Sequence, residues 1–265
     1  MIKTAVIIGS GNLATQLALA LHKSGILIKQ IYSRKSTNAN TLAQKLNADA
    51  TNDFTQLYRE ADIYFLSLSD DAQEEYANAF PFKDKLIVHT SGSLDIDILK
   101  ESSKNFGVFY PLQTFNKQVS LDFSKVPICI EASNTGSIEK LKFLCKQLSC
   151  KWYNYNSEKR KFVHLAAVFC CNFANHMISI SEDILHKQDI PLEIIESLVN
   201  ETFSKAINNT ASSSQTGPAL RNDIKILEKH NKLLKYHFKE YSELYKTISS
   251  SIFEFHNKKD TNDSD

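Results

Sequence analysis

Glycine and proline nearly vanish from the second half of this sequence: after Ser157 the only glycine is Gly217, and the only prolines are Pro191 and Pro218. So few turn residues exclude an architecture of short strands and tight turns there, and point to helices. Cysteine pairing is also missing. Cys129, Cys145, Cys150, Cys170 and Cys171 are odd in number and lack zinc-type spacing, so neither a disulfide scaffold nor a metal site is expected. Cys170 and Cys171 lie in an apolar helical pattern, which predicts buried, reduced thiols. No charge sign dominates. A net charge of +1, with no clustered basic face bearing aromatics, gives no pull toward nucleic acid or an anionic membrane. No apolar stretch reaches the length of a membrane span, and Met1-Ile2-Lys3 leads into a short apolar run broken by Gly9 rather than a secretory leader. These absences predict a cytoplasmic protein without nucleic-acid or membrane partners. What is present, 42% hydrophobic and 23% charged residues over 265 positions, is globular and sufficient for a sizeable core. The polar tail from Asn257 to Asp265 is expected to fray.

The stretch from Thr4 to Leu21 organises the chain. Thr4–Ile8 reads as a strand buried on both faces, and Leu13, Leu17, Ala20 and Leu21 recur at helical spacing. Between them Gly9-Ser10-Gly11-Asn12-Leu13-Ala14 forms a G-x-G-x-x-A turn. Gly9 allows the tight turn, Gly11 lets a diphosphate approach the backbone, and Ala14 allows close strand–helix packing. Gly9, Ser10, Gly11, Asn12 and Leu13 are therefore candidate cofactor-binding residues, with the free amides at the helix start receiving negative charge. The alternative is an ordinary strand–helix turn carrying two glycines.

Residues 26–33 read as a second strand. Its end carries no acidic residue for a ribose hydroxyl; it carries Ser33-Arg34-Lys35, whose cations and hydroxyls suit a 2′-phosphate and predict NADP over NAD. A solvated turn is the competing reading. Strands at 61–68 and 85–90 place Ser67, Leu68, Ser69 and Thr90 beside the cofactor and Ser91 beside the substrate. Asp71 with Glu74 reads as a capping box. Further strands are read at 106–110, 126–131 and 151–155, around a helix at 137–148. Strands alternating with helices predict an α/β fold: a doubly wound parallel-sheet Rossmann domain over 1–155, followed by an all-helical domain over 156–265. Its helices are read at 158–187, 192–209, 218–230 and 232–256.

Within the first of these, His164 and Asn175 project within about 20° of each other, and Asn172 within about 80° of His164, at 100° per residue. The helix is apolar nearly all round and is expected to be buried. The three polar residues then either satisfy one another in a core or line a substrate cleft. Ala211 to Gly217 reads as a loop, with Gly217 as cap and Pro218 at the first helical position. Thr216 and Arg221 at that helix start suit a carboxylate or phosphate; a capped interhelical turn is the other reading.

The chain resembles a family of oxidoreductases with a Rossmann-like N-terminal domain and a helical C-terminal domain of unknown function, distant relatives of pyrroline-5-carboxylate reductase and the β-hydroxyacid dehydrogenases. The likeness is carried by the glycine motif, Ser69-Asp70-Asp71, His89-Thr90-Ser91-Gly92, Tyr110-Pro111-Leu112-Gln113-Thr114-Phe115, His164-Leu165-Ala166-Ala167 with Asn172, and Thr216-Gly217-Pro218 with Arg221 and Asp223. The resemblance implies an NADP-dependent enzyme acting on a small, acidic keto or imine substrate, and a homodimer formed through the helical domain. β-Hydroxyacid dehydrogenases carry a catalytic Lys on the interdomain helix; here none lies on the His164 face, so His164 is the candidate proton donor and Asn172 its catalytic partner. Asn175, Thr216 and Arg221 are candidate substrate contacts. The missing Lys also admits a non-catalytic NADP-binding sensor or scaffold.

Overall fold

A computed structural model describes residues 1–260. The chain divides into two compact units, Met1–Phe173 and Ala174–Asp265. The change in composition at Ser157 marks the start of a helix, while the first unit continues to Phe173.

The first unit is an eight-stranded sheet: β1 (Thr4–Ile8), β2 (Leu27–Tyr32), β3 (Asp49–Thr51), β4 (Ile63–Leu66), β5 (Leu86–His89), β6 (Asn105–Pro111), β7 (Ile128–Ala132) and β8 (Trp152–Asn154). The order across the sheet is β3-β2-β1-β4-β5-β6-β7-β8. All pairings are parallel except β6 with β7. Helices α1 (Asn12–Lys23), α2 (Ser36–Leu46), α3 (Asp70–Asn78) and α4 (Thr135–Gln147) connect them, and α5 (Ser157–Ala167) follows. Strands such as β4, whose four residues are all buried, are apolar throughout because helices cover both faces of the sheet. One core lies on the side of α1, α2 and α4, built on Ile7, Leu17, Ile31, Phe65, Phe109 and Leu144; the other, built on Ile8, Tyr64, Leu66 and Phe80, lies on the opposite face. Register positions the site. Tyr32, Ile8, Leu66 and His89 stand in one cross-strand row. The residues that follow them, Ser33, Gly9, Ser67 and Thr90, therefore emerge together at the carboxyl edge of the sheet, where ligands bind in such folds.

After α5 the backbone widens into a π-helical turn, Val168–Phe173. The second unit contains α6 (Ala174–His186), α7 (Glu193–Asn208), α8 (Ile224–His237) and α9 (Ser242–Asp260). The turn at 238–241 folds α9 back on α8. Asn231 Oδ1 accepts from Ser242 Oγ at 2.9 Å, and Tyr241 Oη donates to Asp183 at 2.8 Å.

Several expectations need correction. The helix over 157–186 is not buried: Phe162, Leu165, Phe169 and Phe173 are exposed, and so are Asn172, Asn175, Cys170 and Cys171. An all-round apolar pattern shows that a helix needs cover, not that its own chain supplies it. The same helix is also long and apolar enough, by length and composition, to cross a membrane, because scattered polar residues do not lower its overall apolar character enough. Helix α8 begins at Ile224, not at Pro218. Residues 218–223 form a turn, and the Asp223 side chain caps the helix through Ile226 N at 3.3 Å. Thr216 and Arg221 therefore do not stand at a helix start. Asp71 and Glu74 form no capping box, since α3 starts at Asp70 and its N-cap position is Ser69, two residues before Asp71. The tail is helical to Asp260; residues 261–265 lie outside the described residues.

Candidate active site

A cleft of about 650 Å³ opens at the carboxyl edge of the sheet. It runs from Gly9–Ala14 and Ser33–Lys35, past Ser67–Ser69, to Thr90–Ser93, Tyr110 and His164. The geometry of the Gly9–Ala14 turn follows from its glycines. Gly9 has φ +133°, and a Cβ there would lie 2.1 Å from the carbonyl oxygen of Ser67. Gly9 N also donates to the Tyr32 carbonyl at 2.9 Å. The β1–α1 turn is thus pressed between its neighbours, which only a bare backbone permits.

Gly11 differs. Its backbone is ordinary extended, it precedes α1 as the N-cap, and a Cβ there would meet nothing within 4 Å. It caps α1 without a side-chain hydrogen bond, and the first turn carries no acid. Free amides and the positive end of the helix dipole therefore face open space, the requirement for holding a diphosphate. The cradle at Gly11 and the basic rim at Arg34 and Lys35 fit a dinucleotide phosphate. Ser10 and Ser33 join this loop to β2 through a 2.8 Å hydroxyl contact, and Arg34 and Lys35 stand exposed beyond it. Asn12 is turned to the 112–120 loop, where its Oδ1 accepts from Lys117 N at 3.3 Å. Gln16 fixes the same loop through the carbonyls of Asn116 and Val119.

At the other end, Thr90 Oγ1 lies 3.3 Å from Ser67 Oγ. The Ser91 hydroxyl accepts from Ser93 N and Leu94 N, each at 3.1 Å, so it holds the turn after β5. Ser93 Oγ donates to Asp70. His89 is fully buried beneath this turn. Its Nδ1 accepts from Ser91 N at 3.2 Å; burial, with the nearby Arg160 guanidinium, pushes its pKa down to about 3, so the ring stays neutral. Tyr110, two residues past the strand position paired with His89, reaches the cleft, and its phenol meets His164 Nδ1 at 2.9 Å.

His164 is carried on α5, whose first turn is fastened to the sheet. Arg160 is completely buried. Its guanidinium donates to Glu131 at 2.6 Å, to Ser157 Oγ and to the Leu94 carbonyl. The Ser157 hydroxyl donates to Glu131 at 2.8 Å. Sequence reading missed this clamp because Lys159-Arg160-Lys161 looks like a solvated face. The available signal was spacing: Arg160 precedes His164 by one helical turn. Lys161 is held outside the cleft by Asp95, at 3.5 Å. Of the candidate residues, the phosphate loop, Ser33–Lys35, Ser67–Ser69, Thr90, Ser91 and His164 share the cleft. Asn172 is exposed and does not line it. Asn175, Thr216 and Arg221 belong to the second unit, where Thr216 borders an apolar hollow of about 390 Å³. Among the described residues no cluster of His, Cys, Asp or Glu is suited to a metal.

Residues 4–92 match the family described as NADP oxidoreductase, coenzyme F420-dependent, and residues 126–252 match a domain of unknown function, DUF2520. No curated protein matches the chain. Among solved structures, a putative NADP oxidoreductase of Bacteroides fragilis is 39% identical, with 96% of this chain and 98% of that one covered and a TM-score of 0.89. An imine reductase of Myxococcus stipitatus in complex with NADP+ (14% identity, 96% and 93% covered, TM-score 0.61) has the same fold. So does a pyrroline-5-carboxylate reductase of Coxiella burnetii (14% identity, 97% and 98% covered, TM-score 0.57). The chain belongs to the family of two-domain oxidoreductases that includes the Bacteroides fragilis protein.

Proposed function

We propose that this protein is an NADP-dependent oxidoreductase of the cytoplasm that reduces a small keto or imine compound, or runs the reverse reaction. The observation that carries this reading is the continuity of one cleft: an uncapped helix start behind Gly11 at one end, and an imidazole at the other. Bound NADP supplies hydride transfer. The chain's own part is to grip the diphosphate with the amides after Gly11 and the 2′-phosphate with Ser33, Arg34 and Lys35. Ser67, Leu68, Ser69 and Thr90 border the nicotinamide end. His164 then exchanges one proton with the substrate atom whose bond order changes. Arg34 and Lys35 favour NADP over NAD because a guanidinium binds a phosphate dianion through charge-assisted bonds.

A homodimer belongs to the same reading. Helix α7 exposes Ile194, Leu198 and Ile207, and the helix over 157–186 exposes Phe162 and Phe169. A second copy explains this surface better than lipid does, because α5 is tied to the sheet through Arg160 and cannot leave it to enter a bilayer without stranding a buried charge.

The test is to titrate NADPH and NADH by calorimetry, then screen ketoacids and cyclic imines for loss of reduced-cofactor absorbance. Tight NADPH binding with turnover of one class supports the reading. Absence of binding by either nucleotide removes it, and binding without any turnover removes the catalytic part.

A further inference from the structure

Tyr110 and His164 meet inside the cleft. The Tyr110 phenol lies 2.9 Å from His164 Nδ1, and the two rings meet edge to face with centroids 5.9 Å apart. Both rings rest against Gly92. A Cβ on Gly92 would lie 2.7 Å from His164 Nδ1 and 2.7 Å from Tyr110 Cζ. No side chain fits there without displacing the pair. The clamp at Arg160 fixes α5 one turn before His164, so the imidazole is held from three sides: by its helix, by a phenol and by bare backbone.

We propose that Tyr110 is a positioning residue that sets the tautomer of His164, and that the two rings, seated on Gly92, deliver the proton as one unit. This rests on the assignment of proton exchange to His164 made above. A phenol is the stronger hydrogen-bond donor of the two groups, and a neutral imidazole nitrogen the stronger acceptor, so the bond runs from Tyr110 O–H to Nδ1. Burial supports this direction: it pushes the Tyr110 phenol up to about 12, keeping it protonated. With Nδ1 accepting, the imidazole proton resides on Nε2, the nitrogen left to the cleft. The step then balances. As the reduced atom takes the Nε2 proton, Nδ1 takes the phenolic one. The imidazole stays neutral, and the phenolate left at Tyr110 recovers its proton from solvent. A developing alkoxide or amide is a stronger base than that phenolate, so the transfer runs toward product.

Magnetic resonance of 15N-labelled protein, in buffer alkaline enough to keep imidazoles neutral, tests this without turnover. His164 signals are identified by their loss in His164→Gln. The expected result is a Nδ1 with no directly bonded proton, a proton bonded to Nε2, and a downfield phenolic proton correlated with Nδ1. Tyr110→Phe, one oxygen smaller, abolishes the phenolic signal and lets a Nδ1-protonated population appear. Gly92→Ala keeps both rings chemically intact and produces the same loss, which a purely structural role for the phenol would not predict. A proton bonded to Nδ1 in the unaltered protein overturns the proposal, as does an unchanged tautomer in Tyr110→Phe. Thermal melts confirm that both variants fold. NADPH titration of the same samples is independent: loss of binding in the unaltered protein defeats the functional reading while leaving the tautomer result standing.

Discussion

The carbonyl oxygen of Ser67 lies 2.1 Å from where a Cβ on Gly9 would stand, whereas the same construction on Gly11 meets only open space. The two glycines of one motif therefore answer to different constraints, packing at the first and ligand access at the second. Gly9→Ala is expected to lower stability by at least about 2 kcal/mol, from positive-φ strain plus displacement of β4. Gly11→Val is expected to change stability by no more than about 1 kcal/mol and to weaken NADPH binding by about tenfold or more. Urea denaturation and calorimetry separate the two. Equal effects of both variants on stability would remove the distinction.

At the far rim, Arg34 stands exposed at the end of β2. Arg34→Ala is expected to weaken NADPH by about tenfold or more, the loss of one charge-assisted phosphate contact, while leaving NADH affinity nearly unchanged. Paired titrations of the two nucleotides check this. A parallel loss for both would place the guanidinium elsewhere than at the 2′-phosphate.

The pair Arg160–Glu131, at 2.6 Å with its guanidinium fully buried and its carboxylate partly so, gives a prediction about the first unit as a whole. Arg160→Leu leaves the Glu131 carboxylate with only the Ser157 hydroxyl as donor and is expected to cost about 3 kcal/mol, the low end for a buried pair because the carboxylate is partly exposed. The double variant Arg160→Leu with Glu131→Leu is expected to be more stable than the single one, since no charge is stranded. Denaturant midpoints of the three proteins measure it.

These elements show what the sequence made readable. The β1–α1 turn is legible because its signals are local: apolar run, glycine spacing and helical period lie within eighteen residues. The doubly wound α/β class follows from the alternation of strands with helices, which does not by itself give the strand order. Nor does it give the reversal between β6 and β7, because a strand's residues do not reveal which neighbour it pairs with. Arg160 was hidden by two flanking lysines, since burial of a charge is decided by Glu131, 29 residues upstream. Pro218 gave a helix-start signal that the Asp223 cap overrides. The exposed state of Phe162 and Phe169 is invisible to periodicity, which reports an apolar face and not what covers it.

His89 supplies a pH dependence. Its folded pKa, near 3, lies below the ordinary imidazole value of about 6.5. Between these values the unfolded chain binds more protons than the native one, so this contribution is whole above about pH 6.5 and is lost as pH falls toward 3. His89→Asn, which keeps an acceptor for Ser91 N, is expected to flatten the stability decline between pH 7 and pH 5 by up to about 1.4 kcal/mol per pH unit. Identical slopes for the two proteins would mean that His89 is not buried as a neutral base.

The buried hydrophobic clusters all lie in the first unit; among the described residues of the second, only Ala219 and Phe238 are buried hydrophobics. Four helices that bury so little apolar surface recover little of the conformational entropy of ordering them. On the proposed homodimer, their folding is coupled to self-association, and mass action then governs the melting temperature. If a second copy covers these helices, dilution lowers the transition of the helical unit while leaving that of the sheet in place, and Leu198→Glu abolishes that dependence; sedimentation showing only monomer at every concentration would remove the homodimer. On that reading, how long the helices last is a question of how many copies are nearby.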